Sequence, residues 1–195
     1  MLPISVAGQS SYTPKPEISV GIALAKKEFR LGDPMELKIE ITNIGQKAIL
    51  VPNHVYLFSG EEAYFEIELS SEKTLISPHM GFVVDHFPNP SKTKKSPTEI
   101  VLGSFVLLPP GTSFVERIAL FDYLSVRKYE LKAGTYKLKG YYSSNGLLYP
   151  PALQSLDLSE EDVRSLPFEA WHGKLATNEL SFTILPGVAK QQGEQ

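Results

Sequence analysis

The stretch LPPGTSFVERIAL, Leu108 to Leu120, followed by KAGTYKLKGYY, Lys132 to Tyr142, decides the fold. It reads as a strand, a Pro-Gly turn, a returning strand, a connection and then Ala133-Gly134-Thr135-Tyr136 opening another strand. Strands joined by such short turns are antiparallel, and their succession is the grammar of a β-sandwich. The Ala-Gly-x-Tyr step resembles a tyrosine corner, in which a Tyr hydroxyl bonds back to the chain between two sheets.

Outward from that stretch the same grammar continues. EISVGIAL places Ile18, Val20, Ile22 and Leu24 on one face, the alternation of a half-buried strand. Lys26-Lys27-Glu28 begins a connection carrying Phe29 and Leu31, and Gly32-Asp33-Pro34 turns it. MELKIEIT alternates Met35, Leu37, Ile39 and Ile41 with Glu36, Lys38 and Glu40. Asn43 to Gln46 is a turn, since Asn and Gly tolerate positive φ. Further strands are expected at Ala48–Val51, Ala63–Leu69, Met80–Val84, Ile100–Leu108, Phe114–Phe121, Tyr136–Tyr142 and Leu180–Ile184. Ile100–Leu108 is apolar on both faces, as a central strand can be. One short helix is expected at Ser159-Glu160-Glu161-Asp162, where a capping Ser stands three residues before an acid. It falls in the long insertion from Ser143 to Lys174, before the last strand.

The fold class is therefore all-β: an immunoglobulin-like antiparallel sandwich with one short helix in the last long loop. One domain is expected at 17–187. Residues 1–16 read as an N-terminal arm or signal remnant, and 188–195 as a disordered tail.

At 195 residues burial is ample without a staple. With no cysteine, disulfides, Fe–S clusters and thiol nucleophiles are excluded. A net charge of -3 carries no basic footprint for nucleic acid. Lys92, Lys94 and Lys95 cluster in the Pro-rich loop Phe87–Pro97, which reads as a solvated tip. No apolar run approaches the ~20 residues of a membrane span.

The chain lacks the motifs of an enzyme. His54, His79, His86 and His172 form no His-x-His or His-x-x-x-His pair, and no metal or other cofactor is expected. Gly103-Ser104, read as part of an apolar strand, lacks a nucleophile elbow. Glu61-Glu62 and Glu160-Glu161 read as solvated surface. The candidate binding residues are aromatic: Tyr141, Tyr149, Phe168 and Trp171, with His172, all in or beside the insertion. Tyr and Trp on loops bury much area at low entropic cost, which suits recognition. The competing reading folds Phe168 and Trp171 back as a lid over the open end of the sandwich.

Three segments carry a family resemblance. GIALAKKEFRLGDPMELKIEITNIGQKAILVPN, residues 21–53, resembles the first hairpin of bacterial Ig-like domains, with a Gly-Asp-Pro turn and a strand ending in Asn. LLPPGTSFVERIAL resembles their Pro-Gly turn, and AWHGKLATNELSFTIL, residues 170–185, resembles their closing strand, Trp-x-Gly-x-x-x-Thr-Asn. The resemblance implies a secreted or periplasmic setting. It also implies a non-catalytic binding or assembly module for a protein or polysaccharide partner, with self-association through an edge strand or the N-terminal arm as one form. FSGEEAYFEIEL, residues 58–69, resembles a step of the intracellular proteinase inhibitor (BsuPI-like) family, which implies protease inhibition through exposed loops. The Trp-x-Trp-Ser step usual in that family is replaced here by ISPHMGFVV, residues 76–84. A structural subunit of a larger assembly is the remaining alternative.

Overall fold

The computed structural model describes residues 18–53, 63–71, 74–76, 95–120, 131–148 and 156–186. In chain order the strands are β1 Ile18–Leu24, β2 Glu28–Arg30, β3 Glu36–Asn43, β4 Ile49–Pro52, β5 Ala63–Ser71 and β6 Thr74–Ile76. After helix α1, Pro97–Ser104, come β7 Phe105–Leu108, β8 Ser113–Ala119 and β9 Gly134–Ser144. Helix α2, Glu160–Arg164, precedes β10 Glu169–Ala170 and β11 Gly173–Leu185. The chain folds as an all-β sandwich.

One layer is β1-β3-β8, antiparallel throughout, and the facing layer is β2-β11-β9-β5-β6. Alternation decides which face each strand buries. Met35, Leu37, Ile39 and Ile41 are all at or below 2% exposure, while Glu36, Lys38 and Glu40 face out. Opposite them stand Phe65, Ile67, Leu69, Leu138, Tyr142 and Phe182.

A third small sheet, β10-β4-β7, continues the first layer past a bend. Asn43 sits at that bend, 1% exposed. Its Nδ2 donates to the carbonyls of Lys47 and Leu108 at 2.7 and 2.8 Å, and its Oδ1 accepts from Gly45 N at 2.9 Å. Its own backbone pairs with Thr112 and Gly111 across the Pro-Gly turn, which Thr112 N closes by donating to the Pro109 carbonyl. A buried amide with every group matched fixes where the first layer bends.

Two further motif residues have the same kind of task. Tyr136 donates its hydroxyl to the Lys132 carbonyl at 2.8 Å and accepts from Lys132 N at 3.1 Å, which is the expected tyrosine corner. Asn178 lies where the β9–β11 register slips between Ala176 and Glu179. Its Oδ1 accepts from Ile22 N at 2.8 Å and its Nδ2 donates to the Ile22 carbonyl at 3.0 Å. The side chain thus pairs with β1 as a strand would and joins the two layers along one edge. At the same slip Thr177 Oγ1 accepts from Gly140 N at 2.9 Å.

Ile100–Leu108 departs from expectation. Its first half belongs to α1, so the described residues hold a second short helix besides the expected α2. Ser96 caps α1: its Oγ accepts from Glu99 N, while its own N donates to Glu99 Oε2 at 2.8 Å. Pro97, expected in a loop, fits the first helical position because no partner is needed for the missing N–H. The second half, β7, is apolar on both faces as expected. Phe29 also departs: the connection carrying it is strand β2, parallel to β11. The strand expected at Met80–Val84, the loop through Lys94 and both chain ends lie outside the described residues.

The small sheet is a wall shared by two cores. Ile49 and Val51 of β4, and Val106 and Leu108 of β7, point into the main core. Leu50, Phe105 and Leu107 point the other way, into a second cluster with Val101, Leu147, Leu156 and Leu158.

Candidate functional site

The second core is roofed by the long connection between β9 and β11. β9 ends at Ser144, whose Oγ accepts from Gly146 N at 3.2 Å and turns the chain. Gly146 has φ 72, and a Cβ there would stand 3.2 Å from the Cβ of His172, so both conformation and space call for glycine. Leu147 then drops into the second core, while Leu148 stays 52% exposed.

The chain returns through Leu158 to α2. Ser159 caps this helix as the S-x-x-D pattern predicts: Asp162 N donates to Ser159 Oγ at 3.1 Å, and Ser159 N donates to Asp162 Oδ2 at 2.9 Å. These bonds hold the Asp162 carboxyl below its ordinary value, the Ser159 hydroxyl contributing most. Leu158 before the cap and Val163 after it both join the second core, the pairing of a hydrophobic staple. After α2 the chain pairs with β4 in parallel through β10, and Trp171 N donates to the Leu50 carbonyl at 3.0 Å.

A helix of five residues cannot cover the second core, and a cavity of about 490 Å³ remains between α2 and the Asn145–Leu148 turn. Leu147, Leu148, Val163, Leu166 and Phe168 supply its apolar wall. Asn145, Arg164, Glu169 and His172 supply its polar groups. Arg164 Nη2 pairs with Glu160 Oε2 one turn back, at 2.8 Å. Both partners are well exposed, so the pair contributes little to stability and serves chiefly to place the guanidinium. Volume and composition match ligand pockets, typically ~300–1,000 Å³, mostly apolar with a few convergent polar groups.

A second cavity, of about 420 Å³, adjoins this groove. It is lined by Ser143, Ser144, Gly173 and Lys174, and it shares Asn145 and His172 with the groove.

The sequence-predicted aromatic set does not form one surface. Phe168 and His172 line the groove. Trp171 corrects the expectation: it is 4% exposed, stacked on Tyr142 with ring centroids 5.4 Å apart, and belongs to the main core. Alternation along β10 explains the split, since Phe168 and Ala170 face the second core and Trp171 the first. Tyr141 lies on the outer face of the five-stranded sheet. The Lys139 and Lys174 ammonium groups stand 5.3 and 5.4 Å from its ring, and its hydroxyl donates to Glu68 at 3.3 Å. Tyr149, His54, His79 and His86 lie outside the described residues.

No protein-family model matches this chain, and no curated protein matches it at a significant level. The site's meaning therefore rests on its geometry. Among the described residues no three metal-ligating side chains come together. No helix among them is long and apolar enough to cross a membrane.

Sequence reasoning missed Asn145, Leu147, Leu148 and Arg164. Two leucines after an Asn-Gly turn are the only signal they leave, and it does not say that one is buried and the other open.

Proposed function

We propose that the protein is a non-catalytic binding module and that the groove between α2 and the Asn145–Leu148 turn takes a short peptide segment of a protein partner. The observation that carries this reading is the groove's wall: Leu148 and the half-buried Val163, Leu166 and Phe168 stay partly open to solvent in a concave site of ligand-pocket size. Aliphatic walls suit peptide side chains better than sugar rings, which are held by stacking on exposed aromatic faces. The setting proposed with it is that of a bacterial Ig-like domain outside the cytoplasm. Support for this comes from Asn43 and Thr177-Asn178, whose hydrogen bonds give the residues of the resembling segments a structural task.

A random-peptide library selected on the folded protein tests the reading. Selected peptides are expected to bind at least tenfold more weakly, about 1.4 kcal/mol, after Leu148→Glu, and equally well after Tyr141→Ala. A selection that yields no binder, or binders indifferent to Leu148→Glu, removes the groove as the site. Binders lost with Tyr141→Ala instead would move it to the outer sheet face.

A further inference from the structure

We propose that the second cavity is a carboxylate-binding site, and that it receives the C-terminal carboxylate of the peptide whose side chains fill the groove. This rests on the groove being a peptide site. The two cavities share Asn145 and His172 in their linings and so lie side by side, and the proposed ligand reaches from one to the other.

Their chemistry differs. The groove is mainly apolar and includes Glu169. Among the described residues that line the smaller cavity there is no carboxylate, and the polar side chains are hydroxyl, amide, imidazole and ammonium. Every one of these can donate a hydrogen bond, and an anionic oxygen is the acceptor that such a set favours.

Ser143 is the second, independent observation. It is 5% exposed, lines this cavity, and its hydroxyl has no hydrogen-bond partner among the described residues. A buried hydroxyl without an acceptor is unfavourable, and a ligand oxygen would relieve it. The hydroxyl oxygen is itself covered, and rotation about χ1 among the staggered positions is the movement that would turn it towards that oxygen. Lys174 is the register partner of Ser143 across β9 and β11, so the two side chains share a face of the sheet. The Lys174 ammonium also meets Glu66 at 2.8 Å and stands 5.4 Å from the centre of the Tyr141 ring, contacts that hold it near the sheet.

A peptide C-terminus is the ligand that presents apolar side chains and an anionic end within one residue of each other. Capture of that terminus by convergent donors is a recurring mode of peptide recognition.

The test takes a peptide selected on the groove and makes it as the free acid and as the C-terminal amide. Each is titrated against the wild-type chain, Ser143→Ala and Lys174→Met, with thermal unfolding confirming that both variants are folded. On the wild type the amide is expected to bind at least tenfold more weakly than the acid. Lys174→Met should bring the acid down towards the amide, and Ser143→Ala should narrow the gap. Equal binding of acid and amide overturns this inference while leaving the groove reading intact. Failure of every peptide, or indifference to Leu148→Glu, sinks the groove reading and this inference together. Acetate or inorganic phosphate binding in a Lys174-dependent way without peptide binding would reassign the cavity to a free small anion.

Discussion

Tyr142 shows how one residue can serve packing at a cost in polarity. Its ring fills the main core, fully buried and stacked on Trp171, yet its hydroxyl has no hydrogen-bond partner among the described residues. Burial pushes the phenol's pKa up, and the charge of Glu116 adds to the effect, so the group stays neutral. An unsatisfied buried hydroxyl costs roughly 1–3 kcal/mol. Tyr142→Phe keeps the ring and removes the unmatched oxygen. It should stabilise the protein by about 1 kcal/mol and raise Tm by about 2–4 °C. A scanning calorimetry comparison decides it, and a lower Tm for the variant would mean that the hydroxyl has a partner in solution. Gly140 makes the opposite case at the next inward position of the same strand. A Cβ there would overlap the Phe65 ring, so the smallest residue is what lets that ring pack against β9.

At the scale of elements, α1 and α2 depend on the same device, a Ser and an acid exchanging hydrogen bonds across the first turn. The bonds from Ser96 lower the pKa of Glu99, and those from Ser159 lower that of Asp162. A carboxyl depressed in the folded state stabilises it above the unfolded value. That contribution is lost as the pH falls from the ordinary values of 4.5 and 3.8 through the folded ones. Asp33, bonded by Lys26, and Glu40, bonded by Lys38, act in the same direction. Ser96→Ala with Ser159→Ala should therefore cost about 1 kcal/mol per cap at pH 7. The difference from wild type should shrink towards pH 3, as protonation weakens the preference of the carboxyls for the folded chain. Urea unfolding at the two pH values measures this, and a difference that stayed constant would show that the acids play no part. The caps also mark how legible the elements were. α2 is plain in Ser159 to Asp162 because polar residues surround its signal. The equivalent signal at Ser96 to Glu99 leads into Ile100-Val101-Leu102, and a short apolar run does not reveal whether its period is two or 3.6. β3 was legible for the converse reason: eight residues of strict alternation leave no other period open. β2 was not, because parallel pairing to a distant strand leaves no local mark, and the first half of β11 was not, because the register slip between Ala176 and Glu179 interrupts its alternation.

The whole molecule has two cores of unequal strength on either side of β4 and β7. The main one joins both layers through long strands and is tied at Asn43, Tyr136 and Asn178. The second rests on two short helices, the Asn145–Leu148 turn and a strand of two residues. The sequence shows strands and apolar faces well, but not that one small sheet divides two cores, because that depends on which layer the last connection folds over. The same fact explains why the groove was only partly legible: Phe168 and His172 stand out in the chain, whereas the concavity is the space a five-residue helix fails to cover. Regions with few buried contacts open below the global unfolding free energy. The groove should thus belong to a unit that opens on its own. Leu158→Ala removes a staple side chain from the second core, a change that typically costs 2–5 kcal/mol when a leucine is fully buried. Amide hydrogen exchange should then show faster exchange in Asn145–Leu148, α2 and β10, with β3 and β9 unchanged. Equal acceleration in β3 and β9 would make the two cores a single cooperative unit. In the expected case a ligand seated in the groove slows exchange in that unit first, because binding to a closed state stabilises that state over its open form. The same experiment repeated with a selected peptide then maps the ligand onto the second core without relying on any substitution.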